Sequence, residues 1–216
     1  MVLTISHQKG GVGKSTIAWN VALHFSKILP VFLVDLDVQQ TLTHTNELRQ
    51  GEGLAPLRLL RLQGEQGLMH HLAKDDERSL TIIDSGGFDS ALNRLAILSS
   101  DMVITPVSDR PFDLMGLKKY EAIMAELSGI QGETLKTHVL FNNINPSLKR
   151  FEELVEFICQ SRHFALMLSV IRQRRDIAHS VGSGMGVHES HPGSKSAHEF
   201  LALADEIAGV LGIGQK

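Results

Sequence analysis

Gln8-Lys9-Gly10-Gly11-Val12-Gly13-Lys14-Ser15 is the stretch on which the reading of this chain turns. A short β-like run, Val2-Leu3-Thr4-Ile5-Ser6, precedes it. After it, Ile17, Val21, Ala22, Phe25 and Ile28 recur on one helical face until Pro30 ends the pattern. A glycine-rich turn between a strand and a helix is what an anion-binding loop requires. Glycines let backbone N–H groups turn inward with no Cβ in the way, and the helix aims its N-terminal dipole at the same charge. Lys14 is then placed to reach the β- and γ-phosphates of a nucleotide, Ser15 to ligate Mg²⁺ and Thr16 to reach the α-phosphate. The general loop, G-x-x-x-x-G-K-[ST], has glycine where this chain has Gln8. The form matched is K-G-G-x-G-K-[ST], with a second lysine, Lys9.

Outward from the loop, apolar runs alternate with helical periodicity. Val31–Val34, Leu80–Ile83, Met102–Val107, His138–Phe141 and Phe164–Ile171 read as strands, several of them continuous enough to be buried on both faces. Helical stretches fall between them at about 90–99, 112–128, 150–161 and 194–211. Strands separated by helices make βαβ units, so the expected class is α/β: a doubly wound, mostly parallel sheet with helices on both faces, in one domain over residues 1–216. Residues 41–79, punctuated by Gly51, Gly53, Gly64 and Gly67, read as loop with one or two short helices.

Composition removes other classes. The chain has 216 residues, a formal charge of −3, 43% hydrophobic residues and one cysteine. That supports a real core and excludes wholesale disorder. Cys159 alone cannot build a disulfide framework, a four-cysteine zinc site or an iron–sulfur cluster ligated within one chain. No secretory leader or transmembrane stretch is legible, so the expectation is a soluble, cytoplasmic protein. His188-Glu189-Ser190-His191 and His70-His71 lack a third ligand at a metal-site spacing and read as surface or packing histidines.

Two further segments carry carboxylates to strand ends, where doubly wound folds bind ligands. They are Val34-Asp35-Leu36-Asp37-Val38-Gln39-Gln40 and Thr81-Ile82-Ile83-Asp84-Ser85-Gly86-Gly87. With the Lys9–Ser15 loop, they resemble the ParA/MinD family of deviant phosphate-loop ATPases, most closely the short ParA-type partition ATPases without an N-terminal domain. Asp101–Val107, Pro111–Leu114, Phe141–Pro146, Gly186–Glu189 and Pro192–Ala197 are also similar to that family.

The resemblance implies ATP and Mg²⁺ as cofactors. It gives Lys9, Lys14 and Asp37 the catalytic roles, with Asp37 directing the attacking water and Asp35 close to the metal or the loop lysine. It makes Lys9, Gly10, Gly11, Val12, Gly13, Lys14, Ser15, Thr16 and Asn142 the nucleotide contacts, Asn142 falling at the position that reads the base. Ser15, Asp37 and Asp84 become the metal set, and Gly86 and Gly87 the second switch. Lys9 would reach across an ATP-bound homodimer to the partner's phosphates, and a ParB-like or other protein would stimulate a slow hydrolysis. Val38 and Gln40 depart from the family's usual proline and glycine.

Between Lys149 and Arg175 stand six bases against three acids, in contrast to the acidic whole. Lys149, Arg150, Arg172, Arg174 and Arg175 are the candidate contacts to nonspecific DNA, which would make the protein nucleoid-associated. The alternatives are a MinD-like membrane-associated positioning ATPase and a small-molecule ligase of the same superfamily. The segment from Phe200 to Lys216 carries two acids and one lysine, which anionic lipid disfavours.

Overall fold

A computed structural model describes residues 1–74, 78–147 and 152–214. In chain order the elements are β1 (Val2–Ile5), α1 (Lys14–Phe25), β2 (Val31–Asp35), α2 (Thr41–Gly51), β3 (Arg58–Leu60), α3 (Gly64–Leu72), β4 (Leu80–Asp84) and α4 (Ala91–Leu98). They continue with β5 (Met102–Val107), α5 (Pro111–Gln131), β6 (Thr137–Ile144), α6 (Glu152–Gln160), β7 (Phe164–Arg172), α7 (Arg175–Gly182), α8 (Val187–Ser190) and α9 (Lys195–Leu211).

The strands form one seven-stranded sheet in the order β3-β2-β4-β1-β5-β6-β7, with every pairing parallel. The expected doubly wound class is therefore what the chain adopts. Strand order reverses on either side of β1, which places a crevice at its carboxyl end. The period of two along each strand sends alternate residues to opposite faces. Leu3, Ile5, Leu33 and Ile82 pack with α1 and α9, whereas Val2, Val34 and Ile83 pack on the other side with Leu68 of α3 and Ala96 of α4. Val103, Val139 and Phe141 extend that second face under α5 and α6.

Residues 41–79 hold the two helices expected there, α2 and α3, and an edge strand that their sequence does not suggest. α2 is a full helix of 11 residues, and Arg58–Leu60 adds an edge strand beside β2. α2 buries Leu42, Thr45 and Arg49, a face with one aliphatic residue, so apolar periodicity carries no trace of it. Its anchor is electrostatic. The buried Arg49 guanidinium donates to both oxygens of Glu189 and to the Gly184 and Ala55 carbonyls. α1 stops at Phe25, and Ile28 lies beyond it, 58% exposed. At the opposite edge, Glu206 of α9 accepts from the backbone N–H groups of Leu168 and Ser169, and Glu199 from that of Arg172. These carboxylates cap donors that an edge strand would otherwise leave bare.

Trp19 of α1 is fully buried, and its indole N–H donates to the Met185 carbonyl at 3.2 Å. This one side chain ties the helix behind the loop to the segment before α8. Trp19→Ala is expected to cost about 3–5 kcal/mol, the range for large aromatic truncations. Urea unfolding measures this, and a loss below about 1 kcal/mol would show that the contact contributes little.

Candidate nucleotide-binding site

β1 ends at Ile5, α1 begins at Lys14, and the loop between them curls over the end of the sheet. Gly11 at φ 75° and Gly13 at φ 92° lie in the left-handed region that L side chains avoid. Gly13 has a second constraint, because a Cβ there would collide with the Asn142 amide. Lys14 is buried, and its ammonium donates to the Lys9 carbonyl at 3.1 Å. Burial pulls its pKa down, while the charges of Asp84 and Asp37 push it back up. A Cβ on Gly87 would come within 3.1 Å of the Gly10 backbone nitrogen, so the segment after β4 passes close to the loop.

Beneath the loop, strand register fixes the acids. Asp84 pairs in register with Ile5 on one side and Asp35 on the other, so two carboxylates end neighbouring strands. Asp84 is completely buried; neither of its oxygens has a hydrogen bond of good geometry, and the Ser15 hydroxyl lies close enough as a donor to hold its pKa down in part. Burial is the main cause that pushes its carboxyl up to about 7; Ser15 beside it and the Lys14 charge oppose the shift, and the Asp35 and Asp37 charges add to it. A buried acceptor this bare is costly unless something positive arrives. The hydroxyl of Ser15 and this carboxylate are hard oxygen donors of the kind Mg²⁺ takes, so the residues present fit that ion.

Asp35 is differently committed. Its Oδ1 accepts from the Asp37 N–H, and its Oδ2 accepts from the N–H and hydroxyl of Thr43 at 3.1 and 3.2 Å. Burial raises its pKa, and these hydrogen bonds hold it back. Asp35 therefore fastens the start of α2 to the end of β2. Asp37 stays half-buried, with Oδ1 accepting from the Gln39 N–H at 3.0 Å. Gln40 precedes α2 at φ 50°, a left-handed position that costs a non-glycine residue about 1–2 kcal/mol.

Asn142 reaches the loop from β6, in register with Ile171 and just before a bulge. The register shifts between Asn142 and Ile144, with Asn143 left-handed at φ 58°. The Asn142 side-chain N–H donates to the Val12 carbonyl at 2.7 Å. A cavity of about 220 Å³ opens beside it, lined by Gly13, Thr16, Asn142, Ile171, Arg174 and Ile177 among others. A larger cavity of about 820 Å³, lined by Met1, Ile28, Asp101 and Leu211 among others, lies where β1 begins, away from the loop. The converging glycines, lysine and carboxylates mark the smaller cavity's side of the sheet as the site.

The basic cluster divides. Arg174 lines the small cavity, and its guanidinium is paired with Glu199 at 2.7 Å. Arg172 is half-buried, with Nη1 donating to the Asn145 carbonyl, and Arg175 is exposed at the start of α7. Lys149 and Arg150 lie outside the described residues. Sequence reasoning passed over Asn93, whose Oδ1 accepts from the Gly86 N–H and whose Nδ2 donates to the Phe88 carbonyl at 2.6 Å. It clasps the Gly86–Phe88 segment after β4, and no short motif announces it.

Comparison with known proteins supplies the family and matches the fold. The family model described as the CobQ/CobB/MinD/ParA nucleotide binding domain matches residues 3–187. The chromosome-partitioning ATPase Soj of Thermus thermophilus is 28% identical over 238 aligned positions, covering 95% of this chain and 94% of Soj. Among solved structures, a protein from Borrelia burgdorferi B31 described as a plasmid partition protein, bound to AMPPNP, superposes with a TM-score of 0.72 at 17% identity, over 96% of this chain and 98% of that one. The cell division protein MinD of Aquifex aeolicus superposes with a TM-score of 0.69 at 16% identity, over 96% of each chain.

The Asp84 carboxyl has a direct consequence in the ligand-free protein. Its folded pKa, about 7, lies above the ordinary 3.8, so the stability that it lends is full below about pH 4 and lost as pH rises through 7. Wild type is expected to lose thermal stability from pH 5 to 7.5, by up to a few kcal/mol from this group. Asp84→Asn should flatten that slope and melt higher at pH 7.5. Scanning calorimetry of both proteins across that range is the check, and superimposable pH profiles would contradict it.

Proposed function

The chain belongs to the CobQ/CobB/MinD/ParA nucleotide-binding family, and from that premise we propose that it is a partition or positioning ATPase that pairs with a second copy on Mg²⁺-ATP and grips nonspecific DNA while paired. Soj is a chromosome-partitioning ATPase by name, and the Borrelia structure contains a nucleotide analogue. The observation that carries the reading is the bare, buried Asp84 carboxylate under a loop that supplies Lys14 and Ser15.

In this reading the loop N–H groups cradle phosphate oxygens, and Lys14 leaves the Lys9 carbonyl to take the β- and γ-phosphates. Ser15 and Asp84 would hold Mg²⁺, with Asp37 at the edge of the same acidic cluster; the ion, when bound, would supply positive charge against the phosphates. Asp37 also orients the attacking water. Asn142 holds the loop through Val12 and fronts the cavity that takes the adenine base. Lys9 reaches the partner copy's phosphates, completing the charge balance of a slow hydrolysis that a ParB-like partner accelerates. Because Gly87 rests on Gly10, occupancy of the loop is felt by the second switch, and hydrolysis releases the pair.

The DNA grip rests on Arg172 and Arg175, with Lys149 and Arg150 as further candidates. Arg174 contributes less, since it is spent on Glu199. A protein that holds DNA this way is nucleoid-associated while bound to ATP. Among the described residues, no helix is long and apolar enough to cross a membrane.

Light scattering and DNA co-sedimentation with and without Mg²⁺-ATP test the reading. Wild type should double in mass and bind DNA with ATP only, and the binding should weaken steeply with salt. Lys9→Ala should lose both responses, whereas Arg172→Glu with Arg175→Glu should pair normally but release DNA. ATP-dependent binding to anionic liposomes and not to DNA would favour a membrane-positioning role. Pairing unaffected by Lys9→Ala would contradict the role given to that lysine.

A further inference from the structure

His7 lies one residue before the loop, buried to 1% exposure and outside every motif that the sequence announces. Its Nδ1 accepts a hydrogen bond from the Lys9 backbone N–H at 2.8 Å. An imidazole nitrogen that accepts carries no proton, so the ring proton sits on Nε2. The other side of the same residue is also engaged, because the Lys9 carbonyl receives the Lys14 ammonium at 3.1 Å. Lys9 is thus gripped at both its backbone groups, by a histidine on one side and by the phosphate-binding lysine on the other.

The ring itself is held by α5. It stacks on fully buried Tyr120 with centroids 5.9 Å apart and planes 4° from parallel. Gly116, one turn earlier on the same face of α5, leaves the room: a Cβ there would come within 2.9 Å of His7 Cε1. Tyr120 and Gly116 form a slot that admits a flat ring and fixes the direction of Nδ1.

We infer that His7 is a positioning residue of the nucleotide site: by accepting the Lys9 N–H from the Tyr120–Gly116 slot, it presets the loop conformation that presents Lys9 and Lys14 to the phosphates. The inference rests on the reading of the loop as an ATP site. His7 touches no phosphate; it acts through the Lys9 backbone. A loop preset in this way spends less entropy on binding than one that must be ordered by its ligand.

The test separates the acceptor from the ring. His7→Phe keeps the ring and its stack but removes the acceptor, and His7→Asn places a carbonyl oxygen where Nδ1 stands. Calorimetric titration with Mg²⁺-ATP should show His7→Phe binding about five- to tenfold more weakly than wild type, the amount one such hydrogen bond supplies, and His7→Asn within about twofold. Gly116→Ala, which should strengthen the helix while displacing the ring, should weaken binding in the same direction and covers the case in which His7→Phe does not fold. In wild type, ¹⁵N spectra of His7 should show a proton on Nε2 and none on Nδ1. Unchanged or tighter binding by a folded His7→Phe, or a proton on Nδ1, would overturn the inference. A wild type that binds no Mg²⁺-ATP would instead remove the nucleotide reading, and this inference with it.

Discussion

A carboxylate at the end of the sheet, out of water and with only the Ser15 hydroxyl beside it as a donor, is the constraint around which the site is arranged. Asp84 is buried because β4 is paired on both sides, by β1 and β2, and the loop closes over its end. Leaving it bare costs stability, and the cost is carried by a sheet whose two faces are covered by helices. Lys14, the nearest cation, is itself held off by its bond to the Lys9 carbonyl. The site therefore holds a lysine and a carboxylate that are near but not ion-paired, an arrangement that a metal-bound polyphosphate would resolve.

From this centre, polar contacts run outward through the same few elements. Asp35, beside Asp84 in register, fastens α2 through Thr43. The far end of α2 is fastened by Arg49 to Glu189 and Gly184. On the other side of the loop, Arg174 lines the small cavity while its partner Glu199 also caps the Arg172 N–H. Asn93 holds Gly86 and Phe88 in the segment that lies on the loop. These contacts tie α2, α9 and the Gly86–Phe88 segment to the strand ends around the loop.

How much of this was legible follows from the physics of each part. The loop was, because left-handed turns at Gly11 and Gly13 demand glycine and leave it in the sequence. The central strands were, because burial on both faces makes them continuously apolar. Asp84 stood out as an acid at the end of such a run. A helix was expected within residues 41–79, but the place and length of α2 were not legible, because an ion pair rather than an apolar stripe holds it, and ion pairs between residues 140 positions apart leave no local pattern. β3 is three residues long at an edge, too short to show a period. Asn142 was placed by resemblance, but its hold on Val12 lies just before a bulge at Asn143, which only the paired strands reveal. The arginines read as one basic cluster, and the fold separates them, since Arg174 turns to Glu199 while Arg175 remains at the surface.

The central claim is that the buried Asp84 carboxylate is completed by Mg²⁺ arriving with ATP. Titrating ATP into wild type and Asp84→Asn, each with Mg²⁺ and with EDTA, measures this most directly. Wild type should bind at least about tenfold more tightly with Mg²⁺, roughly 1.4 kcal/mol or more, and Asp84→Asn should show little difference between the two conditions. A wild type indifferent to Mg²⁺, or an Asp84→Asn variant that keeps the full effect of the ion, would contradict the claim.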